Sequence, residues 1–267
     1  MTGPDNATSS PAMTGEDPRA PRVLAAVTDS AGGLLKPLVA HLDDLRRALA
    51  WGLGALVIGM GLAAALAPRL LAVLKAPLAK VTPNPDSFLR ALEVTGALSV
   101  ATQTIVWGGA LIAAPAILGA IAWFVFPALT ARERRTVLAG MAFAALLFGG
   151  GVAFCYFLAL APALKVMLWF NDWLGIGIEY VTVTSYVGFV LKLLLSFGLT
   201  FELPMALWIL GRLGLVTAAQ LRAKRRHAVV AILILAMVIT PTQDPFSQLL
   251  LAGPLIVLYE LCLWLLK

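Results

Sequence analysis

The sequence predicts an all-α polytopic membrane protein of six transmembrane helices, with both termini cytoplasmic and a short fifth helix. Three observations predict it. First, 60% of the 267 residues are hydrophobic and only 13% are charged, with a mean hydropathy of +0.91; a soluble domain carries roughly twice that charge density. Second, uncharged runs of membrane-spanning length recur along the chain. Third, the basic residues sit in the short connections between those runs, and unequally.

The first 32 residues are polar and Pro-bearing, with no apolar core of a signal peptide, and read as a disordered cytoplasmic tail. A single transmembrane domain then occupies residues 33–267. Gly33–Arg47 places Leu38, Leu42 and Leu45 at helical spacing and predicts an interfacial amphipathic helix. Span one is 49–67, uncharged throughout. Residues 68–93, with four prolines and four basic residues, read as an outside loop. Span two is a single long helix, 96–126, bent at Pro115. Span three is 137–160. Residues 161–179 read as a second outside loop, in which Trp169 and Trp173 suit an interfacial aromatic belt. Span four is 180–210. Span five, 227–240, has fourteen residues and reaches only about 21 Å at 1.5 Å per residue. Span six is 246–266.

With the N-terminus inside, the inner segments hold fourteen lysines and arginines and the outer loops five, with Lys192 alone inside a span. That bias orients the chain. It also accounts for the net charge of +6 without a nucleic-acid partner. Cys155 and Cys262 both lie in apolar runs, with no spacing of a disulfide framework or a metal site, and read as packed thiols. No Gly-rich loop followed by Lys-Ser/Thr appears, so no nucleotide site is expected. His41 and His227 sit at cytoplasmic edges and form no catalytic or metal constellation. No internal repeat relates the halves, which argues against a repeat-built transporter.

One residue stands against the apolar background. Glu202 lies within 191–210, in the setting Phe201-Glu202-Leu203-Pro204. An acid at membrane depth costs about 2.5 kcal/mol or more and is by default a functional hypothesis. Lys192 is ten residues earlier, about 15 Å along a helix, too far for an intrahelical pair. Thr240, Gln248 and Gln103 on other spans are candidate partners.

The chain resembles the TatC family, the multi-spanning subunit of the twin-arginine (Sec-independent) protein translocase. His41-Leu42-Asp43-Asp44-Leu45-Arg46 resembles the family's His-Leu-x-Glu-Leu-Arg opening, with Asp44 in place of the usual Glu, one methylene shorter. Ala76-Pro77-Leu78 resembles its first outside loop. Phe124, Pro127, Leu129 and Glu133-Arg134-Arg135 resemble its first cytoplasmic loop. Phe154-x-Tyr156 resembles the third span and Phe201-Glu202-Leu203-Pro204 the fourth. Thr240-Pro241, Asp244 and Ser247-Gln248 resemble the last outside turn and the start of span six.

The resemblance implies a concave helix arrangement in a bacterial cytoplasmic membrane. It implies a receptor for paired-arginine signal peptides of folded cargo, assembled with single-span TatA-type and TatB-type subunits and with itself. Transport would be driven by the proton gradient, with no cofactor and no enzyme chemistry. Planar guanidinium groups are best held by carboxylates in a partly desolvated site. The acids available on the cytoplasmic face, apart from the tail, are Asp43, Asp44, Glu133 and Glu260; of these, Asp44 and Glu133 fall on motif positions and are expected to hold the arginine pair. The competing reading makes both loop salt bridges to neighbouring arginines, worth little. Arg46 and Arg134 share the motif and either belong to the signal-peptide site or serve as positive-inside anchors; Phe124 either lines the signal-peptide site or anchors a helix end. Glu202 is expected to stay neutral in lipid and donate to a partner helix, or else to join an intraprotein polar cluster. Thr240 and Gln248 form either a partner-docking patch or a turn and helix start, for which Asp244 is a candidate cap. The rival function is an ion-coupled secondary transporter with Glu202 as its proton site.

Overall fold

In the computed structural model the described residues are 20–82, 88–125, 131–177, 180–212, 217–240 and 245–265, with side chains described from residue 42 on, apart from residues 125, 131–139, 208, 209, 212, 218 and 265. The chain divides into two units, Met1–Arg47 and Ala48–Lys267. Helix α1 is Ala20–Lys75. Residues 20–32 are therefore helical where the sequence suggests a disordered tail; alanines at 20, 25 and 26 favour helix, and Pro21 stands where its missing N–H costs nothing.

Within the second unit, α1 runs on past Pro68 to Lys75, where a loop was expected. A 3₁₀ turn, Ala76–Lys80, follows and buries Pro77 and Leu78. The reason lies in the hydrogen-bond arithmetic. In an α-helix the Val73 carbonyl would accept from residue 77, and proline has no N–H. Here the Tyr156 hydroxyl donates to Val73 O at 2.8 Å, and the Tyr186 hydroxyl donates to Leu74 O at 2.8 Å. Two tyrosines from two other helices thus satisfy the carbonyls that the end of α1 leaves open.

Helix α2, Gly96–Val125, is one helix with Pro115 inside it. It crosses α1 at small residues. A Cβ on Gly59 would stand 2.5 Å from Gly109 O and 3.0 Å from Ala113 Cβ, and one on Gly109 would stand 2.7 Å from Met60 Cα. Gly59-x-x-x-Ala63 and Gly109-x-x-x-Ala113 are the small-residue pairs that let membrane helices touch backbone to backbone.

Helix α3, Ala131–Phe154, passes into a π-helical turn, Cys155–Ala159, and then α4, Leu160–Trp173. The expected outside loop at 161–179 is thus helical as far as Trp173. Pro162 cannot donate to Leu158 O, and the backbone answers with a wider turn, the Leu160 N–H reaching Cys155 O. Lys165, Asn171 and Asp172 lie within α4 and do not end it, because its backbone bonds are intact. Asn171 even donates its side-chain amide to Met167 O, at 2.8 Å.

Two-residue strands β1, Leu89–Arg90, and β2, Val181–Thr182, pair in parallel, Leu89 with Val181 and Arg90 with Thr182. Among the described residues these two strands form one minimal ladder. The Arg90 guanidinium lies 5.4 Å from the Tyr180 ring centroid and adds a cation–π contact there.

Helix α5, Val183–Thr200, is capped by the Thr182 hydroxyl, and eleven of its residues are buried. It packs against α2 and α3, which is why it is apolar nearly all round. Gly151 of α3 sits against Phe197 O of α5, and Gly198 of α5 against the Phe148 ring of α3. Phe154 then packs on Phe197 and Phe201, with centroids 6.1 and 5.6 Å apart. Beyond α5 come α6, Leu203–Arg212, α7, Ala218–Ala223, α8, Arg225–Ile239, and α9, Pro245–Leu265. Among the described residues five helices are long and apolar enough to cross a membrane. Helix α8 has 15 residues, about 22 Å of rise, and falls short of that length.

Candidate functional site

The fourth span is not one helix. It breaks between Thr200 and Leu203, and Glu202 sits in the break. Pro204 is the cause: it cannot donate to Thr200 O, and its ring crowds that carbonyl. The break keeps the bonds Phe201 N–H to Phe197 O at 3.0 Å and Glu202 N–H to Leu199 O at 3.1 Å, and Ala206 N–H resumes the ladder on Glu202 O at 2.9 Å. Glu202 Oε1 and Thr200 Oγ1, both at the break, are buried and have no hydrogen-bond partner among the described residues; Gln103 Oε1, on α2, is likewise unpartnered. Buried polar atoms are almost always paired, so such a set is exceptional.

Of the polar residues expected to meet Glu202, Thr240 and Gln248 are bonded elsewhere. The Thr240 hydroxyl donates to Ala236 O in its own helix. Gln248 Nε2 donates to Leu233 O of α8 at 3.0 Å. Gln103 lies against Gly188, whose added Cβ would stand 2.6 Å from Gln103 Oε1. Thr240 is buried and Gln248 half-buried. Ser196, whose hydroxyl donates to Ile239 O at 3.0 Å, and Gln248 bind α8 to α5 and α9. Among the described residues these two side-chain bonds from neighbouring helices to its carbonyls hold the 15-residue helix. Asp244 lies outside the described residues.

Among the acids expected on the cytoplasmic face, Glu260 is taken. Its carboxylate accepts from Arg225 at 2.7 Å. Beside that pair the Tyr259 hydroxyl donates to Leu221 O at 2.8 Å and Arg222 donates to Leu263 O at 3.4 Å. These bonds fasten α9 to the α7–α8 corner. Asp44 is half-buried and Arg46 exposed, in the unit that ends at Arg47. Among the described residues Asp44 forms no ion pair, so the salt bridge to Arg46 or Arg47 does not form. Glu133 and Arg134 stand in the first turn of α3, and their side chains lie outside the described residues. Phe124 is half-buried in the last turn of α2.

None of these residues lines the hollow of about 460 Å³ bordered by Leu70, Val73, Leu111, Phe148, Tyr156 and Leu194. That hollow is apolar and offers room to a hydrocarbon surface only. Residues with roles that went unnoticed in the sequence are Tyr186, Arg225 and Trp107. A proline four residues after Val73 was the available sign that a distant donor was needed. Lys192, the one basic residue inside a span predicted from the sequence, lies 5.3 Å from the Trp107 ring centroid.

Comparison with known proteins gives a consistent result. The family profile described as Sec-independent protein translocase protein (TatC) matches residues 40–254. The chain is 35% identical over 229 residues to the Sec-independent protein translocase protein TatC of Aquifex aeolicus, covering 86% of this chain and 94% of that one. It is 32% identical over 231 residues to the protein of that name from Campylobacter jejuni, covering 85% and 92%. It is similar in fold to a crystal structure of the twin-arginine translocase receptor TatC in DDM, with a TM-score of 0.74, 34% identity and coverage of 85% of this chain and 99% of that one.

Proposed function

The chain belongs to the TatC family of Sec-independent protein translocases, and on that premise we propose that it is the receptor for paired-arginine signal peptides and the core subunit of a proton-gradient-driven translocase for folded proteins. It lies in the bacterial cytoplasmic membrane with both ends cytoplasmic and crosses six times, α8 being the short fifth pass. The helices enclose a concave face. Asp44 and Glu133 hold the two guanidinium groups, with Arg46, Arg134 and Phe124 around them. Single-span TatA-type and TatB-type subunits meet it at Glu202, Thr240, Asp244 and Gln248, and it self-associates.

The observation that carries this reading is the state of the acids. Glu260 is neutralised by Arg225, whereas Asp44, on a family motif position, has no cation paired to it among the described residues. A carboxylate beside a membrane is the group that a guanidinium selects over water, and the bidentate geometry favours arginine over lysine.

The test is binding of fluorescent signal peptides to the protein in nanodiscs. Peptides with Arg-Arg and Lys-Lys are compared on the native chain, Asp44→Ala and Glu133→Ala. Binding selective for Arg-Arg, lost on either substitution, is the expected outcome. Equal binding of both peptides by all three proteins sinks the paired-carboxylate site.

A further inference from the structure

The apolar helix α5 carries one cation, Lys192. The span to which it belongs, Val183–Leu207, has its midpoint at residue 195, so Lys192 is only about 4.5 Å from mid-span at 1.5 Å per residue. Its side chain is exposed on the protein surface. The ammonium rests over the Trp107 ring, 5.3 Å from the centroid, and among the described residues no carboxylate lies within ion-pair distance of it. A ring face attracts a cation but does not neutralise it. A bare ammonium at this depth is costly.

Lipid headgroups are out of reach. Lys192 is nine residues from the start of the span, about 13 Å, and a lysine side chain extends roughly 6 Å. The other end of the span is farther. Glu202 is ten residues along and lies beyond the reach of both side chains. The neighbourhood is polar for a membrane interior. Gln103, with its unpartnered buried Oε1, stands one turn before Trp107 on α2 and packs against Gly188, one turn before Lys192 on α5. The face is open, cationic and close to mid-span.

We infer that Lys192, with Trp107 and Gln103, is a docking site for a transmembrane helix that carries a carboxylate near its own midpoint. The acid neutralises the ammonium, the ring orients it, and both charges leave lipid together. This deepens the proposal that the chain assembles with single-span partners and rests on it, by naming the chemistry of one contact.

The test uses the full chain co-reconstituted with synthetic 21-residue Leu/Ala helices bearing Glu, Gln, Lys or Leu at the centre, with association read by energy transfer in zwitterionic vesicles. The Glu helix should associate about tenfold more tightly than the Leu helix. Lys192→Leu should abolish the preference, and Lys192→Glu should transfer it to the Lys helix. Equal association of all four helices, or a Glu preference that survives Lys192→Leu, overturns the inference. So does a dependence on added anionic lipid with no preference among the helices, which makes the site a lipid site. Binding of the Arg-Arg signal peptide is measured on the same samples. If it persists while the helices associate alike, the helix contact is wrong and the receptor reading stands.

Discussion

Tyr156→Phe removes one oxygen atom, and the structure says which backbone group then loses its partner. The hydroxyl lies 2.8 Å from Val73 O, and Pro77, four residues after Val73, cannot supply the helical N–H. The substitution leaves the ring packing unchanged and strands one carbonyl. Interhelical hydrogen bonds in membranes average about 0.6 kcal/mol, with a maximum near 1.7; no backbone donor stands in here, so about 1 kcal/mol is expected. Pro77→Ala restores a donor four residues after Val73. In that background the tyrosine hydroxyl becomes redundant, and Tyr156→Phe should cost less than about 0.3 kcal/mol. The assay is a double-mutant cycle on the full chain, read by reversible unfolding in mixed micelles. The coupling should approach the whole effect of the single substitution. If the two substitutions add, Tyr156 does not substitute for the missing proline N–H, and the account of the α1 terminus is wrong.

Three further outcomes are expected. Gly109→Val and Gly59→Val should each destabilise by about 2 kcal/mol or more, because a Cβ at either site meets backbone at 2.5–2.7 Å; Gly149→Ala, where nothing lies within 4 Å, should be neutral or raise the melting midpoint slightly. Arg225→Gln should lower stability by about 0.2–1 kcal/mol at low ionic strength, and the loss should vanish in molar salt, since both side chains are about half exposed; a loss independent of salt would mean that packing, not charge, fastens the α9 corner. Under the proposed role of Glu202, Glu202→Gln should retain assembly with single-span partners in co-purification, because the amide still donates. Glu202→Leu should abolish it, and equal retention by both variants would remove hydrogen bonding from that role.

How much was legible follows from the range of each signal. Hydropathy reports on about twenty consecutive residues, and it located the apolar runs without difficulty. It misread their ends. Lys165, Asn171 and Asp172 look like loop, but α4 runs through them because nothing interrupts its backbone bonds. The run 191–210 looks like one helix, yet Pro204 removes the donor for Thr200 O and divides it at Glu202. In the second case the deciding residue was a proline visible in the sequence. What it would do to the backbone depended on which neighbours could accept the displaced groups.

The sequence by itself determined the membrane class, the charge asymmetry, the family and the placing of an acid within an apolar run, because each is a property of composition or of short ordered motifs. Only the tertiary structure decided which polar groups meet. Tyr156 serves a carbonyl 83 residues away, and Tyr186 one 112 residues away. Arg225 takes Glu260 out of the set of available acids across 35 residues, and Lys192 finds an aromatic face instead of a carboxylate. Hydrogen bonds and ion pairs act over about 3–4 Å. Their partners are fixed by how helices cross, and the crossing is set by small residues such as Gly59 and Gly109, whose opposite numbers no local pattern names.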